Sequence, residues 1–186
     1  MRQCARGYSL IELMLCVVLI SILMLIAVPS YQRYIERKDL AMAKQVALKI
    51  AAELEIFKSR NFSYQGFDLG QIYPSYDAAQ QQLRLPIGAD LPQTKYRLRL
   101  VDLDSKTALG PVSSSSSDLS ANTVTAALGL GWAISIVRDR HVGGEFKQPQ
   151  NYDILLNSIG LRCMTQRANQ VQTFQNCGVE ESQAWD

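Results

Sequence analysis

The residues able to carry chemistry in this sequence are few, and most of them stand alone. His141 is the single histidine; lacking a second imidazole or an HExxH spacing, it reads as a surface residue and founds neither a catalytic triad nor a metalloprotease site. Gly129 and Gly131 supply two glycines of a dinucleotide fingerprint, but Ile134 occupies the third place. Asp102 and Asp104 are two carboxylates two residues apart, a spacing that invites calcium but recurs by chance. Lys95, Arg97 and Arg99 alternate with apolar residues, which sets three cations about 7 Å apart on one side of a strand, with Arg84 a candidate neighbour. Such a row can track a phosphate backbone, so these three are the candidate DNA contacts, set against the plainer reading of a solvated strand face. No catalytic set, cofactor or metal site is expected. The net charge of +2 excludes a polybasic nucleic-acid protein, and 47% hydrophobic with 19% charged residues excludes wholesale disorder.

The remaining candidates, Glu12 and the four cysteines, take their meaning from the elements that carry them. Residues 13–28 hold one polar side chain, Ser21, and residues 1–7 carry Arg2 and Arg6 with no acid. The positive start should stay in the cytoplasm and the carboxyl terminus should lie outside. Residues 8–28 would form a helix about 30 Å long, enough to cross a bilayer core. A cleaved secretory signal competes poorly, because Ala27, Val28, Pro29 and Ser30 do not make an A-x-A site. Glu12 interrupts the apolar pattern, and a carboxylate entering hydrocarbon costs at least about 2–3 kcal/mol, so it needs a proton or a partner. Were the chain cut between Gly7 and Tyr8, the new α-amino group would lie one helical turn from Glu12, within a chain or between neighbours.

Gly7, Tyr8, Ser9, Leu10, Ile11, Glu12 and Leu13, followed by an apolar helix, resemble the processing site of type IV prepilins. The resemblance extends over roughly residues 1–57. It includes the short basic leader, Glu12 at the fifth position after the cut, Pro29 at the twenty-second, and the following Tyr31, Gln32, Arg33 and Tyr34. Members of the family usually begin their mature chain with Phe, and Tyr8 departs from that while remaining aromatic. The resemblance implies a substrate and not an enzyme: a prepilin peptidase would cut after Gly7 and a methyltransferase would methylate the Tyr8 amine. The mature chain would have 186 − 7 = 179 residues and, without Arg2 and Arg6, 17 basic against 17 acidic side chains. The resemblance also gives Glu12 and Pro29 roles in assembly, Pro29 marking a stretch able to extend in the filament.

Beyond Pro29, Met42, Val46, Ile50, Leu54 and Phe57, flanked by Ala43, Ala47 and Ala51, step by three and four residues and mark an amphipathic helix. Lys38, Lys44, Gln45, Lys49 and Glu53 take its other face. With Pro29 kinking or loosening the join, one helix of about 50 residues is expected. Residues 58–94 carry aromatic, Gly and Pro punctuation and read as a structured loop. Residues 95–103, 132–137 and 152–157 are strand candidates, and residues 122–128 a weaker one. The fold class is therefore α+β, a long amino-terminal helix packed against a small antiparallel sheet, as in pilins. The expected division is leader 1–7, transmembrane or filament-core helix 8–28, amphipathic half-helix 29–57, and head 58–186. Ser113, Ser114, Ser115, Ser116 and Ser117 read as a surface loop, with glycosylation as the sharper alternative.

In this arrangement Cys4 falls in the leader, Cys16 in the apolar helix, and Cys163 and Cys177 in the exported head. The last two enclose 13 residues, whereas metal sites set paired cysteines two to four apart and need four ligands, so the pair favours a disulfide over a metal. Closing such a loop stabilises a fold by roughly 3 kcal/mol. In the resembled family a disulfide of this kind bounds a variable surface loop, here residues 164–176. The reading is a pilus subunit, minor by preference, held in the inner membrane and then assembled into the filament on the cell surface. Its implied partners are other pilins, the peptidase and methyltransferase, and the assembly machinery. A major pilin, a type II secretion pseudopilin, and a membrane-anchored periplasmic enzyme or adhesin are the alternatives.

Overall fold

A computed structural model describes residues 9–110, 127–178 and 182–185 of the chain. One α-helix, α1 (Leu10–Asn61), runs 52 residues, a span of about 78 Å at 1.5 Å per residue. Pro29 sits inside it, and the helical assignment continues on both sides. Lys58 and Arg60 occupy the last turn, complementing its exposed carbonyls. Phe62 then closes the helix in the left-handed conformation, its N–H bonded to Lys58 O. After the short helix α2 (Leu69–Ile72), seven strands follow: β1 (Tyr76–Asp77), β2 (Gln82–Leu85), β3 (Tyr96–Asp102), β4 (Trp132–Arg138), β5 (Asp153–Asn157), β6 (Arg162–Thr165) and β7 (Ser182–Ala184).

Every neighbouring pair is antiparallel and the spatial order equals the chain order, so the sheet is a meander without crossovers. The α+β class expected from the sequence is the one observed. β3, β4 and β5 match the three main strand candidates to within a residue or two at each end. Of the weaker candidate, residues 122–126 lie outside the described residues, and Ala127 and Leu128 are not in a strand. The stretch read as loop, 58–94, contains α2, β1 and β2, while β6 and β7 flank the disulfide loop.

The core lies between the second half of α1 and the inner sheet face. Tyr96, Leu98 and Leu100 of β3 and Ile134 and Ile136 of β4 point into it, as alternate strand positions must. The helix meets them through Ala43, Ala47, Ile50 and Leu54, all 0% exposed. Met42 is half-buried instead, and Val46, Ala51 and Phe57 flank the seam. The contact line therefore runs through Ala43 and Ala47 and on through Ile50 and Leu54. A smaller cluster occupies the outer face, where Val101, Ala133 and Leu155 meet Val171, Phe174 and the Cys163–Cys177 pair.

Candidate functional site

Along the first half of α1, from Leu10 to Tyr34, every residue is exposed. This is the helix long and apolar enough to cross a membrane, with a mean hydropathy of 3.0 in its best window. Leu10 at 76%, Leu23 at 66% and Leu25 at 77% exposure show that the head covers none of it. Apolar area of this extent requires hydrocarbon or other apolar helices as its surroundings. Ser21, the polar exception, donates to Val17 O at 2.8 Å and so satisfies its hydroxyl within the helix. Glu12 lies in the first turn, its N–H bonded to Ser9 O at 3.0 Å, with its carboxylate exposed. Cys16 is a free, exposed thiol. Gly7 and Tyr8, the expected processing pair, lie outside the described residues, as do Cys4 and Ser113 to Ser117.

Three polar clamps tie the head to the helix, and sequence reasoning missed all of them. Near the middle of α1, buried Asp39 accepts from Gln148 Nε2. One turn before it, Glu36 O accepts from Asn151 Nδ2 at 2.6 Å. Toward the end of α1, Glu55 Oε1 accepts from Tyr64 Oη at 2.8 Å and from Trp132 Nε1 at 3.2 Å. Burial, reinforced by the Glu55 carboxylate, pushes the Tyr64 phenol up to about 12, so it stays a donor at all ordinary pH. A further clamp lies inside the head. Arg138, whose side chain is 1% exposed, sets Nε 2.9 Å from Asp153 Oδ1 and donates to Gln166 O at 2.6 Å and Pro149 O at 3.3 Å. Its guanidinium also stacks 4.1 Å from the Phe146 ring. Burial pushes the Asp153 carboxyl up despite the opposing arginine. The 146–151 segment is thus held to the sheet by Arg138 and to the helix by Asp39 and Glu36.

The two cysteines of the head are bonded, with Cα atoms 6.0 Å apart, and both are buried. Their loop contains a 3-10 turn, Gln170–Thr173, and lays Val171 and Phe174 on the outer sheet face. The basic row is divided. Arg97 and Arg99 stand together on that outer face, while Lys95 precedes β3 and lines a separate cleft with Tyr31, Glu36, Asp39 and Lys147. Arg97 lies 2.9 Å from Asp139, and Arg84 lies 3.0 Å from Asp77.

The carboxylates suggested for calcium are separated in role. Asp102 is 0% exposed and accepts from Ser105 N at 2.9 Å, Ser105 Oγ at 2.8 Å and Gly129 N at 2.9 Å. Burial pushes its carboxyl up, but those hydrogen bonds together outweigh burial and hold it below the usual range. Asp104 is exposed. Among the described residues no group of three or more His, Cys, Asp or Glu is placed to hold a metal. Gly129 has a packing role: at φ +66° its O accepts from Tyr64 N, and a Cβ would come within 2.4 Å of Ser63 Oγ and 2.6 Å of Gln65 N. His141 sits exposed in a turn, its N–H bonded to Glu145 O.

Comparison with known proteins bears on the amino terminus. Residues 2–28 match the prokaryotic N-terminal methylation motif. Two fimbrial proteins of Pseudomonas aeruginosa are each 44% identical to this chain over 57 residues. The match covers 30% of this chain and 37% of each relative, so it spans little more than a third of their length. No solved structure matches.

Proposed function

We propose that this type IV pilin-like chain is a minor structural subunit of a type IV pilus, cut after Gly7 by a prepilin peptidase and methylated at Tyr8. The observation that carries the reading is one helix with two environments: an apolar half bare of any head contact and a second half built into the core. Before assembly the bare half is solvated by the inner-membrane bilayer with the head on the outer side. During assembly it exchanges lipid for the helices of neighbouring subunits.

Glu12 sets the register of that exchange. Low dielectric strengthens its attraction to a neighbour's Tyr8 amine, while desolvation offsets much of the gain, so the net stabilisation is small. A misaligned neighbour leaves the carboxylate buried without a partner, which costs about 3–5 kcal/mol and rejects the wrong register. Pro29, lacking an amide hydrogen, removes one helical hydrogen bond where the bare half begins to give way to the head-packed half. The minor role is favoured by the length of the chain and by the serine-rich segment of its head, features ill suited to a densely repeated building block.

Intact-mass measurement of the protein recovered from sheared filaments tests the reading. A mass equal to residues 8–186 plus a net CH2 and less the two hydrogens lost in the Cys163–Cys177 bond, at trace abundance beside another pilin, is the expected result. Full-length protein confined to membranes would overturn it, and dominance in the filament would make this the main subunit.

A further inference from the structure

The outer sheet face holds cationic and hydroxyl groups that assembly through α1 does not use. A cleft of about 200 Å³ opens there, lined by Gln82, Arg97, Arg99, Ser135, Val137 and Gln172. The strand ladder makes these residues converge: Arg97 lies opposite Val137 and Arg99 opposite Ser135 in the β3–β4 register, and residues two apart share a face. The disulfide loop supplies the far wall through Gln172, and Phe174 lies 6.0 Å from the Arg99 guanidinium, which orients that side chain.

Polar groups in this cleft are incompletely satisfied. Ser135 is 1% exposed, yet its Oγ has no hydrogen-bond partner among the described residues. Arg99 Nε is likewise buried without one, and among the described residues Arg99 makes no salt bridge. Arg97 Nε lies 2.9 Å from Asp139 Oδ1 but out of hydrogen-bond alignment. Asp139 is shared with Lys147 of the separate cleft at 2.6 Å, so it only partly compensates Arg97, and Arg99 adds a second cation to this cleft. Leaving a buried hydroxyl and a guanidinium N–H unmatched is costly in a folded protein, and an excess of positive charge beside them names the sign of the missing partner.

We propose that this cleft binds a small oxyanion, the phosphate or carboxylate group of a solute. Arg99 donates through its planar fork, Ser135 Oγ–H donates from the floor, and the amides of Gln82 and Gln172 reach from the rim. The arginine fork matches the spacing of two oxygens on either group, and charge-assisted bonds of this kind are the strong ones. The volume admits the anionic group and a few attached atoms, and Val137 gives it one apolar wall.

The test is a titration of the full-length, ¹⁵N-labelled protein in detergent micelles with inorganic phosphate, and separately with acetate, at constant ionic strength maintained with chloride. At least one of the two should move the Arg99 Nε–Hε and Ser135 amide signals along a saturable curve, and which one does so tells phosphate from carboxylate. Affinity should fall roughly tenfold in Arg99→Gln and several-fold in Ser135→Ala, because a hydrogen bond to a charged group is lost. It should be unchanged in Arg140→Gln, whose guanidinium donates to Gly144 O. Shifts that never saturate, shifts equal to those from chloride, or undiminished affinity in Arg99→Gln would overturn the proposal. Should Arg99→Gln fail to fold, the wild-type titration decides alone, absence of saturation being the contrary result.

Discussion

Residues 10–28 and 39–54 belong to one unbroken helix, yet the first stretch has no buried residue while the second buries Asp39, Ala43, Ala47, Ile50 and Leu54. The difference is one of patterning. The first stretch is apolar on all sides and has no face to turn to water, so its surroundings must be apolar all round. The second presents a narrow seam of small and branched residues, which a single sheet is enough to cover. On the proposed reading one helix couples a folding unit to an assembly unit, and mutations in its two halves should be read by different instruments. Both tryptophans, Trp132 and Trp185, are buried in the head, so their fluorescence reports the head alone.

The largest expected effect on that fluorescence comes from inside the head. Arg138→Met leaves Asp153 buried without its cation and should lower the stability of the head by about 3–5 kcal/mol in urea denaturation. Next, Ile50→Ala opens a cavity at the helix–sheet seam and should cost about 2–5 kcal/mol by the same assay. Leu19→Ala, an equal truncation on the bare half, should leave the midpoint unmoved, and comparable losses from both would break the contrast between the two halves. Reducing the Cys163–Cys177 bond should cost roughly 3 kcal/mol, since it reopens a loop of about 15 residues. Peptide mapping without reductant provides the matching check on native protein.

The smallest effect is a pH dependence. Asp102 has a folded-state value below that of the unfolded chain, so its stabilisation is complete above the unfolded carboxylate range and fades as pH falls through the depressed folded value. Asp102→Asn should therefore flatten the acid limb of head stability below about pH 4. An acid limb identical to wild type would remove Asp102 from the account of how the turn at Ser105 and Gly129 is held.

The second half of the helix and β3 were readable because each keeps its period for several residues, the first half of the helix, β4 and β5 because each is an apolar run of the right length. β2 is four residues long and stands between a turn and Pro86, and β7 is three residues with no buried side chain, so neither offers a period to detect. The expected stripe and the observed seam agree at Ile50 and Leu54 but differ by one residue at the start, where Ala43 and Ala47 are buried in place of the more hydrophobic Met42 and Val46. Arg138 was overlooked because a charge at the end of a strand normally marks exit to solvent. Its position two residues after Ile136, in step with Ile134, was the available signal. Pairings such as Glu55 with Tyr64 and Trp132 depend on segments far apart in the chain, and no local pattern announces them. At the amino terminus the motif was legible throughout, because it is a run of contiguous residues.

On the proposed reading the bare half-helix is an assembly element whose one carboxylate selects register. Its most direct test is the ratio of this subunit in sheared filaments to that in membranes, compared between wild type and Glu12→Ala, with cleavage after Gly7 and head fluorescence checked on the same samples. Normal cleavage, an unchanged urea midpoint and a ratio reduced several-fold are expected, in line with an unpaired partner charge. An unchanged ratio would contradict that reading.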